Sequence, residues 1–233
     1  MSELKRLKRE LAAAACPEKA AVLQRFFKTG PGQYGQGDVF LGITVPVQRR
    51  IAAACSLDLP DIARLLASEI HEHRLCALFM LEARFRQAEP LEQEKIVAFY
   101  LENAERVNNW DLVDLSADKI LGRFLLERDR AVLYELAASE NLWRRRIAVI
   151  ATFAFIKNGD WRDTFNLAEI LLSDHHDLIH KAVGWMLREV GKRVSEKKLE
   201  EFLQANHRKM PRTMLRYAIE RLDPQKRGFY LGK

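Results

Sequence analysis

Apolar and charged positions alternate at helical spacing along almost the whole chain. Residues 2–15 set Leu and Ala among Lys, Arg and Glu and read as a first helix. Pro17 suits the first turn of a second helix carrying Ala21, Val22, Leu23, Phe26 and Phe27, which stops at Thr29-Gly30-Pro31-Gly32. Asp38 to Pro46 is expected to be a packed loop rather than a strand, because Pro46 opens the helical run Val47-Gln48-Arg49-Arg50-Ile51. Pro60 takes a first-turn position ahead of Ile62, Leu65 and Leu66. Residues 71–87 are predicted to form a long amphipathic helix, and Pro90 opens the next, with Ile96, Val97 and Tyr100. Further helices are expected around Trp110, over 130–138, at Trp143, and over 161–172, 176–192, 195–205 and 211–222, with Ser195 as an N-cap. No strand hairpin is expected.

The spacing of these helices carries more information than their number. Arg74-Leu-Cys-Ala, Trp110-Asp-Leu-Val, Arg146-Ile-Ala-Val, Lys181-Ala-Val-Gly and Arg216-Tyr-Ala-Ile recur 36, 36, 35 and 35 residues apart, with another helix between each pair. A two-helix unit repeating every ~35–45 residues is the mark of an α-solenoid. The tetratricopeptide consensus is absent, and the Arg/Lys-x-Ala pattern leans towards HEAT-like repeats. The expected fold is therefore all-α, a right-handed α-α solenoid with a concave basic groove, formed by residues 1–233 as a single domain. An irregular helical bundle with accidental spacing is the competing reading. In a solenoid, equivalent helices line one side, so Trp110, Asp114, Arg146 and Trp185, all within a turn of the repeat register, group together.

Composition narrows the class further. The 233 residues carry a formal net charge of +6 and a pI near 9.3. From Lys181 onward there are 14 Lys and Arg against 6 Asp and Glu. That bias is either a solvated basic terminus or a phosphate-facing half. Cys16, Cys55 and Cys76 lack any CxxC spacing, so neither a zinc module nor a disulfide framework is indicated. The charged N-terminus has no apolar signal core, and no apolar run reaches the ~18 residues of a membrane span. A cytoplasmic location is the default expectation. The glycine-rich loop Gly30 to Asp38 lacks the Gly-Lys-Ser/Thr ending of a P-loop, which argues against nucleotide binding.

Candidate chemistry centres on Val107-Asn-Asn-Trp-Asp-Leu-Val-Asp114. Trp110 and Asp114 are four apart and share a helix face. A carboxylate among aromatic walls stabilises developing positive charge better than one in water, and Trp faces attract cations directly. Such a pocket suits a cationic substrate or an oxocarbenium-like transition state, as in glycosidic cleavage. The bland alternative for Asp114 is a helix carboxylate paired with a nearby Arg. Trp143-Arg144-Arg145-Arg146 is either a solvated basic face, with one Arg tucked between helices, or a fork for phosphate oxygens. Asn108 and Asn109 either donate to backbone or phosphate or cap the helix. His175, His176 and His180 are the only histidine cluster; Asp174-His-His-Asp177 reads as a helix start rather than a metal site.

At these residues the chain resembles the AlkD-like DNA alkylation repair enzymes, a family of DNA glycosylases built from HEAT-like repeats. The matching segments are Phe40-Leu-Gly-Ile-Thr-Val-Pro46, Asn109-Trp-Asp-Leu-Val-Asp114, Trp143-Arg-Arg-Arg146 with Ala148, and Ile179-His-Lys-Ala-Val-Gly-Trp-Met-Leu-Arg-Glu189. They span nearly the whole chain in the expected order. The resemblance implies removal of positively charged N3- and N7-alkylated purines, such as 3-methyladenine and 7-methylguanine, from double-stranded DNA. It assigns Asp114 as the catalytic carboxylate, Trp110 and Trp185 to the lesion's deoxyribose, and Arg146 to the DNA backbone. Arg144, Arg145, Lys181 and Arg188, in the same motifs, are assigned to the duplex as well. It further implies a monofunctional enzyme that needs no metal, cofactor or flipped base; a monomer is the default expectation for a groove that must wrap a duplex. One departure is Asn109, where the family often carries a second aromatic. A non-catalytic HEAT-like module binding nucleic-acid backbone is the alternative function, and a protein-binding solenoid is the third.

Overall fold

Local sequence starts most of the helices. In the computed structural model, which describes residues 2–232, Ser2 caps α1 (Glu3–Ala13) by accepting from the Lys5 amide. Pro17 occupies the first turn of α2 (Pro17–Phe26), and Pro46 that of α3 (Val45–Ala53). Asp58 caps α4 (Leu59–Leu66). The first unit is completed by α5 (His71–Gln87), α6 (Pro90–Glu102) and the short α7 (Trp110–Asp114). The second holds α8 (Ala131–Ala137), α9 (Leu142–Ala151), α10 (Phe153–Lys157), α11 (Arg162–Ile170), α12 (Asp177–Arg193), α13 (Glu196–Asn206), α14 (Arg212–Ala218) and α15 (Pro224–Leu231). The chain divides between them after residue 116. An Asn, His, Ser or Asp side chain caps α9, α12, α13 and α15, each taking up one or more of the amides that a helix start leaves unpaired.

In the first unit α5 is the central helix, packing on α1, α3, α4, α6 and α7. The expectation of an amphipathic α5 needs correction, because every residue from His71 to Leu81 is buried. Four of those residues, His71, Glu72, His73 and Arg74, are polar or charged and find partners inside the unit. The Asp38–Pro46 stretch is a packed loop, as expected. Its one strand-like feature is a parallel bridge between Val39 and Ile70.

In the second unit α12 lies between α9 and α14, while α8 pairs with α9, and α11 and α13 flank α12. Arg146, Lys181 and Arg216 are each the fifth residue of α9, α12 and α14. Within the second unit the repeat read from sequence spacing is thus a structural repeat, whereas Arg74 and Trp110 take the fourth and first positions of α5 and α7; the fold is all-α. Helix α15 lies beyond the last element expected from sequence; the Asp223-Pro224 start that specifies it is a capped proline-first turn.

Gly184 sets the distance between α12 and α14. A Cβ there would meet the Met214 carbonyl oxygen at 2.5 Å and the Tyr217 Cβ at 2.6 Å. Gly184→Ala is therefore expected to destabilise the protein by about 1–3 kcal/mol, the usual cost of overpacking. Urea unfolding of the variant checks this; a midpoint equal to that of the wild type would show that the helices separate freely.

Candidate active site

Helix α7 is a single turn of five residues, too short to persist on its own. Leu112 and Val113 anchor its inner face and are fully buried. Its end has a local cause: Ser116 Oγ donates to the Leu112 carbonyl at 2.6 Å and is shared with the Tyr100 hydroxyl at 3.0 Å. Trp110 and Asp114 both lie on the half-buried side of this turn. The orientation of Trp110 is well determined. Its indole stacks on Phe27 with centroids 5.0 Å apart, meets the exposed Phe26 edge-on, and donates Nε1–H to the Tyr34 hydroxyl at 3.3 Å. Sequence reading did not single out any of these three partners.

Beneath α7 lies a buried ionic network that sequence reading missed entirely. His71 Nδ1 bonds Asp38 at 3.1 Å and Nε2 bonds Asp111 at 2.8 Å. Asp38 also receives Arg74 at 2.6 Å and the Asn109 side-chain amide at 3.2 Å. Asn109 in turn accepts the Trp110 amide at 2.8 Å, so it caps α7. Of the two readings open for Asn109, the structure selects the cap, and its side chain is fully buried. Next to His71, the fully buried Glu72 carboxylate accepts the backbone amides of Leu41 at 2.9 Å, Gly42 at 2.8 Å and Ile43 at 3.2 Å. Gly42 holds φ 82°, and a Cβ there would strike the Cys16 carbonyl oxygen at 2.2 Å. The Phe40-Leu41-Gly42-Ile43 motif is therefore a docking strap for a buried carboxylate.

Burial opposes the charge on His71, but Asp111 and Asp38 outweigh it and raise its pKa to about 9. Burial likewise opposes ionisation of Asp38, yet His71 and Arg74 hold its carboxyl below the usual range. Two residues on, His73 has no such partner. Burial, with Lys8 and Arg74 adding to it, lowers its pKa to about 4. The two signs differ. The contribution of His71 to stability is complete below pH 6.5 and is lost as pH rises through about 9; that of His73 is complete above pH 6.5 and is lost as pH falls through about 4. Each shift corresponds to on the order of 3 kcal/mol. Stability measured by urea unfolding from pH 4 to 9.5 should peak near pH 6–7, and His71→Gln should remove most of the alkaline decline.

The arginine run, Lys181, Trp185, Arg188 and the histidine cluster singled out from sequence lie in the second unit. Asn141 caps α9 by accepting the Trp143 and Arg144 amides, and the Trp143 side chain is buried. Arg145 pairs with Asp174 at 2.7 Å and donates to the Ser139 and Glu140 carbonyls at 2.9 and 2.8 Å. Arg146, which the resemblance assigned to the DNA backbone, is 4% exposed and donates to the Leu178 carbonyl, so it is the arginine tucked between helices, joining α9 to α12. Arg144 is half-buried on the same helix. Lys181 pairs with Asp177 at 2.7 Å, and Arg188 with Glu220 and with Glu189 at 3.3 Å. Trp185 is half-buried, its ring 6.0 Å from Phe153. The histidine cluster is a helix start, as expected: His176 Nδ1 accepts the Leu178 amide. Lys181, Arg212, Arg216 and Arg227 line a cavity of about 860 Å³ that also contains Asp177 and Glu220.

Comparison with known proteins bears on this arrangement. A predicted DNA alkylation repair enzyme from Enterococcus faecalis superposes with a TM-score of 0.70 at 18% identity, covering 90% of this chain and 97% of that one. AlkD2 from Streptococcus mutans superposes with a TM-score of 0.54 at 15% identity, covering 94% and 97%. At these identities the likeness is one of fold. No functionally curated protein matches the sequence. The profile of the family described as DNA alkylation repair enzyme matches residues 7–222. With nearly the whole chain matched in sequence and an all-α fold shared with such proteins, this protein belongs to the DNA alkylation repair enzyme family.

Proposed function

We propose that the protein is a monofunctional DNA glycosylase that hydrolyses the N-glycosidic bond of N3- and N7-alkylated purines in duplex DNA. The observation that carries this reading is the pairing of Asp114 with Trp110 on one half-buried side of α7, above a network that holds the helix in place. An alkylated purine is already cationic. As its C1′–N bond breaks, the bonding pair leaves with the base, which departs neutral, and positive charge develops on the sugar. Asp114 faces that charge and receives, or passes to solvent, a proton from the attacking water. Trp110, fixed by Phe27 and Tyr34, presents an indole to the cationic deoxyribose. Water is the only co-reactant.

Contact with the DNA backbone is assigned to Arg144, Lys181, Arg188 and Arg216. Arg145 and Arg146 support them by tying the end of α8 and the start of α12 to α9. Because Arg216 is exposed and recurs at the register position of Lys181, it is a natural phosphate ligand. Arg216→Ala is expected to weaken duplex binding about threefold to tenfold and to reduce the slope of log K against log salt by about one, whatever the DNA sequence.

The deciding experiment is release of free 7-methylguanine and 3-methyladenine from methylated duplex DNA, corrected for spontaneous depurination. Release by the wild type supports the proposal. Duplex binding without release would leave a module that binds nucleic-acid backbone.

A further inference from the structure

Helix α7 carries the proposed catalytic carboxylate, yet it cannot hold itself. Its N-terminal end is fastened at three points to groups distant in sequence. Asp38 holds the capping Asn109, His71 holds Asp111, and Tyr34 holds the Trp110 indole. His71 is the centre of this fastening. Both of its ring nitrogens are bonded to carboxylates, which requires both to carry protons, and its ring stacks on Phe40 with centroids 4.4 Å apart. Phe40 stacks on Phe27 and Phe27 on Trp110, so one column of rings runs from the imidazole to the indole.

We propose that His71, bridged between Asp38 and Asp111, is a positioning residue for this reaction: as an imidazolium it locks α7 and thereby sets where Asp114 and Trp110 stand. The proposal rests on the glycosylase reading for its kinetic consequence but not for its physical one. Loss of the proton leaves one nitrogen with a lone pair facing a carboxylate. The ring then keeps one of its two bridges, and α7 loses its hold on either Asp111 or the Asp38–Asn109 cap. The charged groups facing His71 are Asp38 from the glycine-rich loop, Asp111 from α7 and Arg74 from its own helix. Its neighbour Glu72 is turned to the amides of residues 41–43, and the end of α2 contributes the Phe27 ring. The proton is retained well above neutral pH, so the lock is closed under ordinary conditions.

The test compares wild type with Asp111→Asn and Asp38→Asn, each labelled with 15N-histidine and 15N-tryptophan, from pH 6 to 9.5. His71→Gln and Trp110→Phe identify the resonances. In the wild type, both imidazole nitrogens should stay protonated to about pH 8, and the Trp110 indole resonance should shift together with the deprotonation. In Asp111→Asn the transition should move to lower pH by at least one unit. Single-turnover base release at saturating enzyme should show an alkaline decline that follows the same transition. At pH 8 release should fall about tenfold in Asp111→Asn, with duplex Kd changed less than threefold. Asp38→Asn provides a second, independent displacement should Asp111→Asn fold poorly. A His71 that titrates near 6.5, an alkaline decline that stays in place in both variants, or rate and affinity falling together would overturn the proposal. If the wild type releases no base, the glycosylase reading fails while this one is still decided by the Trp110 resonance. Movement with His71 sustains the lock, and a static resonance ends it.

Discussion

Asp114→Asn should lower single-turnover release of 7-methylguanine by about a hundredfold to a thousandfold while leaving duplex affinity unchanged or slightly tighter. The magnitude is that of removing one pre-positioned charge from a transition state, 10²–10³ in rate. Asparagine has nearly the volume and shape of aspartate, so α7 and its packing through Leu112 and Val113 should survive. What is lost is the negative charge opposite the sugar cation and the acceptor for the proton of water. The two measurements separate the alternatives because the carboxylate acts oppositely on them. Facing phosphates, it weakens ground-state binding; facing the developing cation, it speeds the chemistry. A protein that only binds DNA has no use for such a group, and its removal would tighten binding with no rate to lose. Equal release by wild type and variant would move the chemistry away from α7.

Glu72→Ala should be the most damaging single change to stability, on the order of 3–5 kcal/mol, or about 10 °C in Tm for a chain of this size. The carboxylate is fully buried and accepts three consecutive backbone amides. Alanine orphans all three; each buried unpaired donor costs about 1–3 kcal/mol. Glu72→Gln should lie between alanine and wild type. Its amide oxygen can serve Gly42 and Ile43, but its NH₂ group then faces the Leu41 N–H, donor against donor. Thermal and urea unfolding of the two variants give the order directly. A Tm loss below about 2 °C for Glu72→Ala would mean that the 41–43 strap is held by the Phe40 and Ile43 side chains instead. Since the strap also carries Phe40, which stacks on His71, a destabilised Glu72 variant should lose base release at lower temperature than the wild type.

Much of this protein was legible without coordinates, for a physical reason. Helix starts at Pro17 and Pro60 depend on the fixed φ of proline, and that at Ser195 on a hydrogen bond to the Lys198 amide, so local sequence is sufficient to place them. The register of Arg146, Lys181 and Arg216 is a periodic property of the chain, and packing equivalent helices side by side preserves it. The Trp110–Asp114 pair needs only the i, i+4 geometry of one turn. The buried network is different in kind. Asp38 and His71 lie 33 residues apart, and His71 and Asp111 lie 40 apart. Nothing in the pattern around His71, Glu72 or Arg74 distinguishes a charge that is buried and paired from one on a polar face. The 71–87 helix was therefore expected to be amphipathic, when its first three turns are enclosed. The same holds for Arg145 and Arg146, where a run of arginines reads as a surface but the partners are a distant aspartate and a helix carbonyl. Sequence by itself determined the helices, their repeat and the identity of the candidate carboxylate, because those follow from near neighbours and periodicity. Only the tertiary structure decided which charges are buried and what orients that carboxylate, because burying a charge is tolerable solely where folding brings its partner within hydrogen-bond reach.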